Sequence, residues 1–234
     1  SSQVCLCQQA ARRRSSCAAL FAEGEIDMAE ITGFWQSNLH DLLAELGEER
    51  TSEILSAFEC PLNPDVQSFL REKAILFSRH GYASTYLVFA SYQGSVVLIG
   101  YYALAMKAVV IKGSLLSSQW RGRLRRFAFY DSDLKQFTLS LPLIGQLGKN
   151  YAHRYDRLIS GDDLLGIACE TVREIQLMSS GKMVYLECED VLPLTSFYER
   201  NGFFRFANRN LDGDERDLSQ TPYLVQMIKY FKDA

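Results

Sequence analysis

Apolar residues recur at Phe34, Trp35, Leu39, Leu42, Leu43 and Leu46, and these steps of three and four predict an amphipathic helix from Phe34 to Glu48. A further helical turn is predicted over Ser52 to Phe58. Pro61 and Pro64 interrupt the pattern, and Asn63-Pro64 then opens a helix through about Ser78, with Val66, Phe69, Leu70, Ala74 and Phe77 on one face. His80-Gly81 ends it. Thr85 to Tyr92 and Val96 to Ile111 are rich in β-branched and aromatic residues around a Gln93-Gly94 turn, which predicts a hairpin. Phe137 to Leu147 predicts a central strand. Asp162 to Met178 returns to helical spacing, with a capping-box-like start at Ser160 and Asp163 and a stop at Gly181. Met183 to Cys188 predicts a strand and Leu194 to Arg200 a short helix closed by Asn201-Gly202. Phe203 to Ala207 and Tyr223 to Tyr230 predict two last strands, joined by the acidic, turn-rich stretch Leu211 to Gln220.

This order of elements describes an α/β fold with a mixed central sheet flanked by helices. The expected organisation is a tail over residues 1–27 and one domain over 28–234, helical over 28–82 and sheet-forming over 83–234. Arg12 to Ala22 superficially resembles a signal peptide, but Glu23 and Glu25 follow a short apolar run with no clean cleavage site, and Met28 makes a natural beginning. The balance of 47% hydrophobic and 23% charged residues is that of a globular protein. A net charge of -3 creates no global demand for nucleic acid or an anionic membrane. No apolar run is long enough to span a bilayer, so no membrane partner is expected. Cys5 and Cys7 lack a second ligand pair, and Cys169 and Cys188 lie in apolar segments. We therefore expect reduced thiols, a cytoplasmic protein and no metal.

Candidate chemistry concentrates between Leu141 and Phe203. A strand that ends in a loop and opens a helix aims backbone N–H groups and the helix dipole at one spot, which suits a pyrophosphate. A following parallel strand that splays from the first would leave backbone groups free for an extended amide-bearing ligand. Ser117 to Phe129 carries Arg121, Arg123, Arg125 and Arg126 around Trp120, Leu124 and Phe127, and reads either as a solvated helical face or as an anion- or substrate-docking surface. Glu187 and Glu189 share one face of a strand and Asp190 takes the other. A carboxylate there either deprotonates an ammonium or forms a structural pair; Glu189 is the candidate base.

The run Leu143-Ile144-Gly145-Gln146-Leu147-Gly148-Lys149, then Ser160-Gly161-Asp162-Asp163-Leu164-Leu165, Val184 to Cys188, and Phe197-Tyr198-Glu199-Arg200-Asn201-Gly202-Phe203 resembles the core of the GNAT acyltransferase superfamily. The closing segment is its most specific piece. The stretch from Cys60 to Tyr230 is also similar to bacterial and phage proteins of that type. The resemblance implies a GNAT-type acyl-CoA N-acyltransferase fold and transfer of an acetyl group from acetyl-CoA to an amine by direct attack in a ternary complex. It implies that Leu147, Gly148 and Lys149 meet the pantetheine arm. Ile159, Ser160, Gly161, Leu164 and Leu165 would meet the pyrophosphate, and Phe197 and Tyr198 would flank the thioester, with Tyr198 as general acid. A phenol with a pKa near 10 suits protonation of a departing thiolate.

The sequence also departs from that pattern. Gly161 is the one glycine kept in the phosphate loop, Asp162 and Asp163 add negative charge, and Val191 stands where the family often has Asn. Lys149, Arg154 and Arg157 are expected to offset the acids. The acceptors in view are a small molecule, a protein amine or a charged tRNA, and a second copy of the chain is a further partner. The alternative is a GNAT-fold binding or regulatory protein with weak or no catalysis. A dinucleotide-binding fold is excluded by the order of elements and the lack of Gly-x-Gly-x-x-Gly after a first strand.

Overall fold

The computed structural model describes residues 33–211 and 221–232. The expected tail over 1–27 and nearly all of the Leu211 to Gln220 stretch lie outside the described residues. Eight strands form one mixed sheet, and the chain divides into two compact units that are taken in turn.

The first unit comprises described residues 33–101 and 149–159. It opens on a strand, β1 (Phe34–Asn38), where helix was expected. The apolar spacing there is ambiguous over so short a run, and tertiary pairing decides it. β1 runs antiparallel to β2 (Ser84–Tyr92), with Phe34 opposite Ala90 and Asn38 opposite Tyr86, and Trp35 stacks on Phe89 at 6.1 Å. Asn38 ends the strand and starts α1 (Leu39–Ser56), its side chain accepting from the His40 N–H at 2.9 Å. The two helical segments expected on either side of Glu48 are both in α1, which breaks at Gly47, where φ is 78°. α2 (Pro64–Ser68), a π-helical turn (Phe69–Lys73) and α3 (Ala74–Arg79) realise the predicted helix after Asn63, whose side chain caps it. Gln93 and Gly94, both at positive φ, make the tight turn into β3 (Ser95–Lys112). The core of this unit packs Tyr101 edge-on to Phe58 and parallel to Phe69.

The second unit holds residues 102–148, 160–211 and 221–232. The later half of β3 leads through α4 (Ser118–Leu124) and β4 (Phe129–Asp131) to β5 (Gln136–Lys149). Then follow α5 (Gly161–Ser179), β6 (Met183–Glu189), α6 (Leu192–Arg200), β7 (Phe204–Asn210) and β8 (Tyr223–Tyr230). Strand order here is β3-β5-β6-β8-β7, with the short β4 antiparallel to the start of β5. β4 was not foreseen, and only Ser118–Leu124 of the basic segment is helical. One face of this sheet carries a buried cluster of Val109, Ile111, Phe137, Leu139, Leu141, Met183, Tyr185 and Ile228, covered by Trp120 and Leu124 of α4. Tyr102 of β3 meets Thr171 of α5 through their hydroxyls at 2.7 Å.

Candidate functional site

β5 and β6 pair in parallel at one register position, Leu143 opposite Tyr185. β6 is meanwhile held along its whole length by antiparallel β8, from Met183 opposite Tyr230 to Glu189 opposite Leu224. Past Leu143, Ile144 and Gly148 stay buried, Gln146 and Leu147 are half-buried, and Gly145 is exposed.

α5 begins immediately after a loop, as its sequence requires. The Ser160 hydroxyl oxygen accepts from the Asp163 N–H at 3.0 Å and donates to the Asp163 carboxylate at 2.6 Å. The cap is thus reciprocal through the hydroxyl itself, which is how Asp serves at a position that usually takes Glu or Gln. The second acid is engaged as well. Asp162 accepts from the Asn201 side chain at 2.6 Å and lies 3.4 Å from Arg200. The Asn201 hydrogen bond, with help from Arg200, holds this exposed carboxyl below its usual pKa. Asp162 therefore ties the start of α5 to the end of α6. Gly161 has a packing reason: a Cβ there would stand 3.2 Å from the ring of Phe197. The Arg200 guanidinium lies over that same ring, 4.9 Å from its centroid. The side-chain partners of residues 160–163 were not legible beforehand, because they come from a helix some forty positions away. Leu164 and Leu165 are buried, while Ser160 is exposed.

α6 starts at Val191 without a side-chain cap and with Pro193 in its first turn. It ends at Asn201-Gly202, where the Gly202 and Phe203 N–H groups return to the Glu199 and Tyr198 carbonyls. Tyr198 is 9% exposed, its ring 4.9 Å from Phe197 and 5.7 Å from Phe203. Burial pushes its phenol pKa well up, and Cys188 of β6 and Cys169 of α5, its titratable neighbours, add to the shift. The hydroxyl therefore remains protonated through the physiological range. Cys188 is itself buried, and its thiol is pushed up to about 12.

The two carboxylates of β6 differ. Glu187 accepts from the Arg209 guanidinium at 2.8 Å and from the Tyr185 hydroxyl, whose oxygen accepts in turn from Gln226 at 2.7 Å. Burial alone would raise the Glu187 pKa, but the Arg209 and Tyr185 hydrogen bonds outweigh it and hold the carboxyl below its usual value. Glu187 is thus a structural pair. Glu189, on the same face, is half-buried. At the end of β6 Asp190 takes both Arg205 nitrogens at 2.9 Å and the Tyr223 hydroxyl at 2.7 Å.

The remaining predicted residues belong to the first unit. Lys149 donates to the Asp156 carbonyl at 2.9 Å and closes its own loop. Arg154 and Arg157 are exposed and Ile159 is buried. His153 and Arg154 take left-handed backbone, φ 50° and 65°. Buried Asn150, absent from the expected set, fixes this loop. It accepts from the Glu59 and Ala152 N–H groups and donates to the Leu98 carbonyl.

The basic segment is partly architectural. Arg121 donates to the Gly113 and Leu116 carbonyls, and Arg123 lies over the rings of Trp120 and Tyr230. Arg125 and Arg126 are exposed. No helix of the described residues is long and apolar enough to cross a membrane.

In sequence, no protein-family model and no curated protein matches the chain. Solved structures do. The chain is similar to AtaT complexed with acetyl-methionyl-tRNAfMet, with a TM-score of 0.55 at 13% identity over 83% of this chain and 94% of that one. A tyrosine-to-phenylalanine mutant of KacT matches with a TM-score of 0.53 at 13% identity, covering 83% of this chain and 94% of that one. A further structure described as a bacterial toxin gives 0.50 at 20% identity, over 76% and 86%. The fold expected from the sequence resemblance is therefore the fold observed: a GNAT-type α/β architecture, shared with these structures.

Proposed function

We propose that the chain is an N-acetyltransferase that uses acetyl-CoA as cosubstrate. The observation that carries this reading is the placement of Tyr198, buried on α6 beside Cys188 at the far end of β6, beyond the one position where β5 and β6 pair. A thioester lying along the end of β5 would have its sulfur within the neighbourhood of a phenol that burial keeps protonated.

In the proposed reaction the acceptor nitrogen attacks the thioester carbonyl, a C–N bond forms and the C–S bond breaks. The departing thiolate takes the Tyr198 proton, and the ammonium proton of the acceptor leaves to Glu189, directly or through water. Leu147, Gly148 and Lys149 are proposed to meet the pantetheine arm. Ile159, Ser160, Gly161, Leu164 and Leu165 are proposed for the pyrophosphate, with Arg154 and Arg157 as its cations and Phe197 beside the thioester. Because Asp162 is drawn to Asn201 and Asp163 to Ser160, the two acids of the first turn are occupied. Arg200, 3.4 Å from Asp162, offsets part of their charge.

For the acceptor, the first class to test is the amino group of a charged tRNA. The likeness to AtaT, solved with acetyl-methionyl-tRNAfMet, and the exposed Arg125 and Arg126 support it.

A thermal shift with acetyl-CoA tests the cosubstrate. At a hundred times its dissociation constant a ligand stabilises by about 2.7 kcal/mol, or about 5–10 °C for a chain of this size. No shift at millimolar acetyl-CoA would refute the enzyme and leave a GNAT-fold binding protein. With a shift in hand, thiol release in the presence of total charged tRNA, free amines or a lysine-rich protein identifies the acceptor class.

A further inference from the structure

The chain's charge changes sign over residues 112–135, the excursion that leaves β3 and returns as β5. Six of the 25 cations and two of the 28 acids fall there, in a chain of net charge -3. Arg121 and Arg123 are taken up by the fold itself, on carbonyls and on aromatic rings. Lys112, Arg125, Arg126 and Lys135 are exposed. Arg125 lies over the Tyr130 ring, 5.8 Å from its centroid, with its charge still in water. Asp131 is drawn into its own turn, accepting from the Asp133 and Leu134 N–H groups at 2.9 Å. The surface here is therefore positive on a chain that is otherwise acidic.

Its apolar residues divide in two. Leu116, Trp120 and Leu124 are buried against the sheet and hold the excursion down. Leu115, Phe127, Phe129 and Leu134 stay in water, Phe129 at 72% and Leu134 at 64%. One exposed leucine means little, but these four share one end of the sheet. The Gly113 N–H bonds the Lys135 carbonyl at 2.9 Å, which sets the short 3-10 turn carrying Leu115 beside the turn carrying Leu134. Phe129 stands opposite Thr138, on the side of β5 away from buried Phe137. Val110 of β3, 54% exposed, takes that same side, because Val109 and Ile111 belong to the buried cluster. Turns ordinarily carry Gly, Pro, Asn, Asp and Ser. Here they carry Phe127 directly after Arg126 and Leu134 directly before Lys135.

We infer that this end of the second unit is a membrane-contact surface: Phe127, Phe129 and Leu134 enter the interfacial layer of an anionic bilayer, and Arg125, Arg126 and Lys135 meet its headgroup charge. An interfacial layer uses both halves of the surface, the apolar side chains by buried area and the cations by surface potential, each cation adding about fivefold to binding. Arg125 and Arg126 alone would suit a charged tRNA equally well; the apolar residues beside them decide for lipid. Unpaired RNA would use the cations and the phenylalanine rings, but bases stack on π faces, and Leu115, Leu134 and Val110 offer none. The expectation of no membrane partner rested on the lack of a spanning run, which bears on crossing a bilayer and not on lying against one. The contact requires nothing of the acetyl-CoA reading and stands or falls apart from it.

Flotation of the full chain with phosphatidylcholine vesicles, with and without phosphatidylserine, tests this. Binding is expected to be at least about tenfold tighter with phosphatidylserine present and to weaken as salt is raised. Arg125→Glu with Arg126→Glu should reduce it by at least about tenfold. Phe129→Ser with Leu134→Ser, which leaves every charge in place, should also reduce it by at least about tenfold. Both side chains are exposed, so the melting temperature should hold; if it falls, Leu115→Ser on the neighbouring turn replaces that pair. No binding to phosphatidylserine vesicles at low salt overturns the inference. So does a folded apolar variant that binds them as tightly as the unmodified chain, since the surface would then attract anions without touching lipid. Tighter binding to an oligouridylate, lost in Phe129→Ser, overturns it in favour of RNA.

Discussion

Replacing Asn150 by Ala removes three hydrogen bonds at once. Asn150 is 1% exposed; its Oδ1 accepts from Glu59 N–H at 2.9 Å and Ala152 N–H at 3.1 Å, and its Nδ2 donates to the Leu98 carbonyl at 2.8 Å. Its own backbone N–H keeps its bond to the Ile99 carbonyl in any variant. A buried polar group left without a partner costs about 1–3 kcal/mol. Three such groups, taken at the low end because a water can enter the space, give about 3 kcal/mol, or about 6–12 °C in melting temperature. The assay is urea unfolding with the slope held constant between variants. Asn150→Asp separates the donor from the acceptors. It retains Oδ1 but sets a second carboxylate oxygen against the Leu98 carbonyl, so its folded pKa should rise above the usual value of about 3.9. A raised pKa gives stability that is present below the unfolded value and lost as pH rises through the folded value. The deficit of Asn150→Asp against the unmodified protein should therefore be small near pH 4 and grow toward pH 7. A deficit below about 1 kcal/mol for Asn150→Ala, or a flat one for Asn150→Asp, refutes the assignment.

Other predictions concern the proposed chemistry and the β6 network. If the proposed reaction holds, Tyr198→Phe is expected to lower the turnover rate by about 10²–10⁴ while keeping the acetyl-CoA thermal shift, and because burial raises the phenol pKa, the unmodified protein should show no alkaline fall of activity assignable to Tyr198 below about pH 10. Reversing the charges of Arg154 and Arg157 to Glu should weaken acetyl-CoA binding at low salt and less so at high salt, read by titration calorimetry; unchanged affinity removes both residues from the site. Glu187→Ala removes the carboxylate that accepts from both the Arg209 guanidinium, 20% exposed, and the Tyr185 hydroxyl, and should cost about 3 kcal/mol. Since the Glu187 pKa is lowered, its stabilisation is present above the unfolded value near 4.3 and lost as pH falls below it, so Glu187→Gln should flatten the acid limb of stability below about pH 4.3.

What was legible in the sequence followed the range of the interactions involved. Ser160 and Asp163 are three positions apart, so their cap could be read locally, as could Asn63-Pro64 and the Gln93-Gly94 turn. Phe34 to Asn38 could not: five residues hold too little periodicity to separate helix from strand, and pairing with β2, some fifty positions on, settled the matter. The same holds inside the candidate site. Glu187 and Glu189 share one face of β6, and what makes Glu187 a structural pair is Arg209 on β7 and the Tyr185 hydroxyl. Asp162 looked like a defect in a phosphate loop until Asn201 and Arg200 were found against it.

Gly161 and Gly145 carry this one step further, because a bare sequence treats them alike. Both lack a positive φ, so neither is there for a turn. At Gly161 a Cβ would press on Phe197 at 3.2 Å, and the vacancy is filled by the protein's own aromatic ring. At Gly145 a Cβ would meet nothing closer than 3.8 Å, and the position is exposed. Substitution at the first should therefore register in folding, through displacement of Phe197 from the end of α5. Substitution at the second should leave folding nearly untouched. Gly161→Ala and Gly145→Ala, compared side by side in melting temperature, should differ, with the loss confined to Gly161→Ala. If Gly145→Ala lost stability to the same degree as Gly161→Ala, glycine at 145 would be a packing requirement after all.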